Sequence, residues 1–372
     1  METTVRKKLN LKWLASLCLP LAGIALFYLL RHNRPLMDGW LEHVMKPVEQ
    51  YFGRIWAIFP FSVAEVLIAG TITGIVVWTV RAVVLLLLQR SGRAFFKRML
   101  ALVSLALWLW CGLCWSWNVS YYATSFTEKS GLSVRGHSPQ ELLYTTIWFA
   151  QKAAELSTQV QRDTEGHFAE NQSNYFHRGV TVYKNLEEEF PFLEMDSVRT
   201  KPLVFSQLQS ALGFTGMYFP FTGEANVNVH APACLRPATI AHEMSHQRMV
   251  ASELEANFVG IAACTSSNDV VFQYSGYLMG LIELGNSLYH INADTWYSII
   301  STYFTPELRT DWNDNHYYWK ALESKAEEVA EQTYDSFLKG NGQTLGIASY
   351  GACVDLLITY YLPDAISSLY PF

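Results

Sequence analysis

The 372-residue chain is half hydrophobic, 14% aromatic and only 16% charged, against about a quarter charged in an average soluble protein. Its length exceeds one small domain, and the charge deficit points to lipid-facing or deeply buried segments. The net charge of −6 combines +8 over residues 1–118 with −14 over residues 119–372; the acidic second part lacks the basic footprint that nucleic-acid binding requires.

Three apolar segments come first. Residues 13–30 follow Arg6, Lys7, Lys8 and Lys12. They end in Phe27-Tyr28-Leu29-Leu30-Arg31 without a small-residue cleavage site, so they read as a retained anchor rather than a signal peptide. Residues 61–88 and 99–117 are the second and third spans, each near the ~20 residues needed to cross a bilayer. The N-terminal tail and the expected short loop holding Arg90, Arg93, Lys97 and Arg98 are the basic segments. The positive-inside rule puts both in the cytoplasm and residues 119–372 outside, anchored to the lipid bilayer. Glu65, near the start of the second span, is either an intramembrane functional acid or a headgroup-level residue. Of six cysteines, Cys111-Gly-Leu-Cys114 has redox-motif spacing but lies in a Trp/Leu run, and no disulfide framework is expected.

The remainder reads as helical. Ser138-Pro139-Gln140-Glu141 is a capping box with proline in the first turn, opening an amphipathic helix to about residue 161. Residues 225–230 alternate as a short strand. Further helices are expected over 236–250, 253–264, 268–290, 294–303, 315–338 and 349–361. The acidic run from Glu323 to Glu331 reads as a solvated helix face, and Lys339-Gly340-Asn341-Gly342 as a C-terminal stop.

The chemistry concentrates in His242-Glu243-Met244-Ser245-His246. Histidines at i and i+4 share one helix face, so both imidazoles can ligate one Zn²⁺. The intervening Glu243 can then serve as the base. A third ligand is needed, and Glu253 or Glu255 can supply it. In an unbroken helix Glu253 would lie ~10 Å beyond His246, so the helix must end and a second one begin. Ser252-x-x-Glu255 offers a capping box for that restart, which spends Glu255 on the cap and frees Glu253 for the metal; the reverse assignment stays open. Asn257 is placed to accept a bond from a ligating imidazole. Asn226 and Asn228, on the short strand before the motif, can hydrogen-bond an extended peptide or protein substrate. Tyr350 and Tyr334 are candidate donors to an oxyanion, and His230 and His316 could assist.

Several segments resemble a bacterial membrane-protein family, domain of unknown function 3810. They are Gly223 to Asn228, His242 to Gln247, Glu253 to Phe258, Tyr334 to Lys339 and Gly346 to Tyr350. The resemblance implies three N-terminal spans followed by a zincin-like domain. The Glu253/Asn257 spacing is similar to the Glu/Asp pair of gluzincins. One departure is Met249, where the family pattern has glycine three residues after the second histidine. The expected protein is therefore mainly α: a membrane anchor over 1–118 and an α-rich, gluzincin-type extracytoplasmic domain over 119–372 with a small β element. A zinc metallopeptidase is the expected activity, with a zinc-binding but inactive sensor or scaffold as the alternative. A transporter does not fit three spans without a broken-helix pair.

Overall fold

The computed structural model describes residues 11–343 and 350–369. It is mainly helical, with one small sheet. Three helices, Leu11–Leu30, Val63–Gln89 and Gly92–Ser116, are long and apolar enough to cross a membrane. The first and the second both pack on the third. The second starts at Val63 because Ser62 caps it, accepting the Glu65 N–H at 3.1 Å. The third begins seven residues earlier than expected, capped by Ser91. Arg90, in the left-handed region at φ 48°, makes the reversal with Ser91. Arg93, Lys97 and Arg98 therefore lie on the third helix's first turns rather than in a loop. The Arg98 guanidinium sits over the Trp78 ring at 5.0 Å. All six cysteines are free, and Cys114 is buried among apolar neighbours.

The stretch between the first two long helices is folded. It forms helices Arg34–Trp40 and Lys46–Trp56 joined by a π-helical turn, and it packs on the later part of the chain. Asp38 accepts bonds from the Thr124 N–H and hydroxyl, both at 2.7 Å. Lys201 donates to the Trp56 carbonyl at 2.6 Å and pairs with Glu224. Glu224 in turn accepts from the N–H groups of Val63 and Ala64 at 3.2 and 2.7 Å, serving the open N-terminus of the second long helix. Glu65 returns the exchange, accepting from the Val204 and Phe205 N–H groups at 2.7 and 2.8 Å. Glu65 is thus spent as a structural cap, and residue 118 is not a break in packing.

The sheet has the order β1 (Lys201–Pro202), β3 (Glu224–Val227), β2 (Gly216–Phe219). β1 runs parallel and β2 antiparallel to β3. The strand expected over 225–230 ends at Val227. Asn228 folds its side-chain oxygen back onto the N–H groups of His230 and Ala231 at 2.9 and 3.2 Å, a local turn that competes with the ladder. Behind the sheet lies the motif helix, Arg236–Gln247. It packs on helices Glu253–Ser266 and Val270–Ile291, and the latter packs on the capped helix Pro139–Ser157. Phe149, Phe258, Phe272 and Leu281 fill the core between them. The single helix expected over 315–338 is two, Pro306–Lys320 and Lys325–Gly340. Ser324 and Glu327 form a reciprocal capping box that starts the second, so the acidic run is interrupted by a helix start. The last helix runs from Tyr350 to Leu369.

Candidate metal centre

The motif helix is buried from Pro237 through Gln247, and its two histidines face the same way with ring centroids 4.9 Å apart. It stops in a Schellman turn. Met249 N–H bonds the His246 carbonyl at 3.0 Å and Val250 N–H bonds the Ser245 carbonyl at 3.2 Å. That motif needs a left-handed residue, and Met249 takes it at φ 66°. The turn expected of glycine is thus kept by methionine, whose side chain packs on a small cluster around Phe27 and Met45. Met249→Gly is expected to change stability by less than about 1 kcal/mol. Relief of ~1–2 kcal/mol of strain is offset by the freedom glycine gains in the unfolded chain, ~0.4–1 kcal/mol, and by lost packing. Met249→Val, β-branched and least tolerant of positive φ, should be clearly less stable. Thermal melts of the two variants check this, and a valine variant as stable as wild type would contradict it.

After the turn, the helix Glu253–Ser266 brings Glu253 back over the imidazoles. Its carboxylate oxygens lie 3.3 Å from His242 Nε2 and 3.6 Å from His246 Nε2. One ligand atom from each residue falls within 4.8 Å of the others. Ligands held ~2.0–2.1 Å from a tetrahedral zinc are about 3.3 Å apart, so the donor set and spacing fit such an ion. The close crossing depends on Gly260, where a Cβ would meet the His242 backbone nitrogen at 2.8 Å.

Glu255 is elsewhere. It accepts from the Phe126 N–H, the Thr127 N–H and the Thr127 hydroxyl at 3.1, 2.9 and 2.7 Å. It thereby serves the start of helix Phe126–Ser130. Ser252 makes no side-chain cap, so the expected Ser252/Glu255 box does not form: the tertiary donors outcompete the local one. His246 Nδ1 is held by the Val250 carbonyl at 2.7 Å. His242 Nδ1 is buried without a partner, and no hydrogen bond joins Asn257 to either imidazole.

Glu243 is 4% exposed, and its Oε2 is buried and unpaired. Burial, reinforced by Glu253, raises its pKa to about 7 against the pull of the two imidazoles. Burial also opposes ionisation of Glu253 and His246. Their mutual attraction wins, holding Glu253 well below the usual carboxylate range and raising His246 to about 9. This is a cluster that stores opposite charges where a cation would sit.

The substrate candidates shift. Asn226 and Asn228 are fully buried. The Asn226 amide donates to the Met217 and Glu224 carbonyls, and that of Asn228 to Ser210 Oγ and the Phe214 carbonyl. Asn226 lies on the central strand and Asn228 just past its end, so neither side chain faces an open sheet edge. The edge strand against the motif helix is β2. Its Gly216 lies directly on Glu243, where a Cβ would come within 2.3 Å of Oε1. Among the tyrosines, Tyr334 reaches the site: its hydroxyl donates to Glu253 Oε1. The Tyr350 side chain lies outside the described residues. His230 and His316 are exposed and outside the cluster.

Four neighbours carried no sequence signal. Trp117 stands edge-on to His246 at 5.5 Å and also packs on Tyr218, whose hydroxyl binds the buried Glu49. Burial raises Glu49 well above the usual carboxylate range. Glu283, on helix Val270–Ile291, feels the charge of His242, but burial outweighs that pull and raises it to about 7.

No curated protein and no solved structure matches the chain. The family model described as a protein of unknown function (DUF3810) matches residues 40–358. That span takes in the folded segment between the first two long helices from Trp40 on, the sheet and the metal cluster, and on it the chain belongs to the DUF3810 family.

Proposed function

We propose that the protein is a membrane-anchored, zincin-like metallopeptidase that hydrolyses peptide or related amide bonds outside the cytoplasm. The carrying observation is one arrangement: a ligand atom from each of His242, His246 and Glu253 within 4.8 Å of the others, beside a buried glutamate with a free carboxylate oxygen. His242, His246 and Glu253 would hold Zn²⁺, which when bound polarises a carbonyl and makes water acidic. Glu243 takes the proton from the attacking water at its free oxygen and passes it to the leaving nitrogen. β2 offers a backbone edge beside Glu243 along which an extended chain can pair. The Tyr334 hydroxyl, which donates to Glu253, is the side chain we assign as donor to the developing oxyanion.

Orientation rests on charge. Arg90, Arg93, Lys97 and Arg98 cluster at one end of the long helices, and Trp117 and the folded domain follow the other. The four basic residues between the first two long helices, Arg31, Arg34, Lys46 and Arg54, are spread over a longer segment. The positive-inside rule then puts the domain outside.

The test is metal analysis of the purified protein followed by a peptide-library assay of wild type and Glu243→Gln. Wild type should carry zinc and cleave; the variant should keep zinc and lose about 10²–10⁴-fold in rate. Zinc in both with cleavage by neither would establish a binding protein instead. A protein that takes up no metal would end both readings.

A further inference from the structure

We infer that the outer domain is itself seated in the bilayer surface through an apolar apron, its occupant being the headgroup and upper acyl layer of the lipid. The apron comes from three separate stretches of chain. Ile58 and Phe61 precede the second long helix, and Phe61 stands two residues before its start at Val63. Val204, Phe205 and Leu208 come from the loop and short helix after β1. Phe221 follows β2. All six side chains are exposed, from 37% for Phe221 to 80% for Ile58. Residues 57–62, 203–208 and 219–222 contain no charged side chain. In water such a patch is an association liability.

Its position says what covers it. Phe221 packs against Gly112 of the third long helix, where a Cβ would stand 2.9 Å from its ring. That helix ends at Ser116, so the ring lies about 6 Å inside the end at 1.5 Å per residue. Val204 and Phe205 are level with the first turn of the second long helix, because Glu65 holds both their N–H groups. Each contact places an outer-domain side chain at or within the depth of a segment apolar enough to span lipid. The same bonds satisfy the backbone donors of Val204 and Phe205, which an entry into lipid demands. Phe and Leu side chains at this level are of the kind that interfacial segments bury at the headgroup–acyl boundary. The inference stands independently of any metal: it needs only the apron and the spans.

The experiment uses the full chain in phosphatidylcholine/phosphatidylglycerol vesicles. A photoreactive benzoyl-phenylalanine replaces Phe205 or Leu208, both exposed in the structure, so folding is not at stake. The same group at Val76, in the middle of the second long helix, is the positive control. At Tyr297, an exposed ring on helix Ala293–Tyr303, it is the negative control. After irradiation, mass spectrometry should find lipid adducts at 76, 205 and 208 and none at 297. Positions 205 and 208 behaving like 297 would overturn the inference, as would their cross-linking to a second copy of the chain instead of lipid.

Discussion

Glu253→Gln is expected to abolish metal uptake by the purified protein, whereas Glu255→Gln is expected to leave uptake intact and lower the melting temperature. The two acids are two residues apart on one helix and differ in what they touch. Among the described residues, Glu253 supplies the carboxylate oxygens of the histidine cluster. Losing a partner that merely braces a ligand costs about 10–100-fold in metal affinity, and losing an anionic ligand itself should exceed that. Glu255 takes three hydrogen bonds at the start of helix Phe126–Ser130. A neutral amide there accepts less strongly and brings surplus donors, so a loss of about 1–3 kcal/mol is expected. Elemental analysis and a thermal melt of each variant read the two effects separately. Metal loss from the Glu255 variant with retention in the Glu253 variant would reassign the third ligand.

Glu224→Ala is expected to destabilise the whole fold by about 3–5 kcal/mol, the cost of leaving a buried charge without its partner. Lys201 and Glu224 have side chains only 3% and 2% exposed. Removing Glu224 strands the ammonium with the Trp56 carbonyl as its remaining partner and uncaps Val63 and Ala64. A double variant, Lys201→Met with Glu224→Leu, should recover most of the loss, because replacing both partners removes the unpaired charge. Denaturant unfolding in detergent measures both. If the single variant melts like wild type, the exchange between sheet and long helix contributes nothing to stability.

What could be read from sequence was local. Two histidines one turn apart share a face whatever surrounds them, and the need for a bend before Glu253 followed from helix rise alone. The three long apolar helices were equally visible, since length and composition decide them. Features set by distant partners were hidden. The Ser252-x-x-Glu255 pattern is a sound local cap, but Phe126 and Thr127 arrive from far along the chain and take the acid. Alternation at 225–228 reveals a strand without saying whether it is central or at an edge, so Asn226 and Asn228 looked free while the edge was β2. The break between Lys320 and Lys325 did have a local mark, Ser324-Lys325-Ala326-Glu327, which the surrounding helical periodicity masked. Trp117 and Glu283 reach the cluster only through packing.

The mounting of the outer domain has a kinetic consequence. An enzyme on a flexible tether sweeps a volume set by tether length. Here the folded segment from Arg34 to Trp56, the Lys201–Glu224 pair and Trp117 against His246 leave no slack joint. The proposed metal centre would then keep a fixed height and heading, so encounters would depend on what drifts past it.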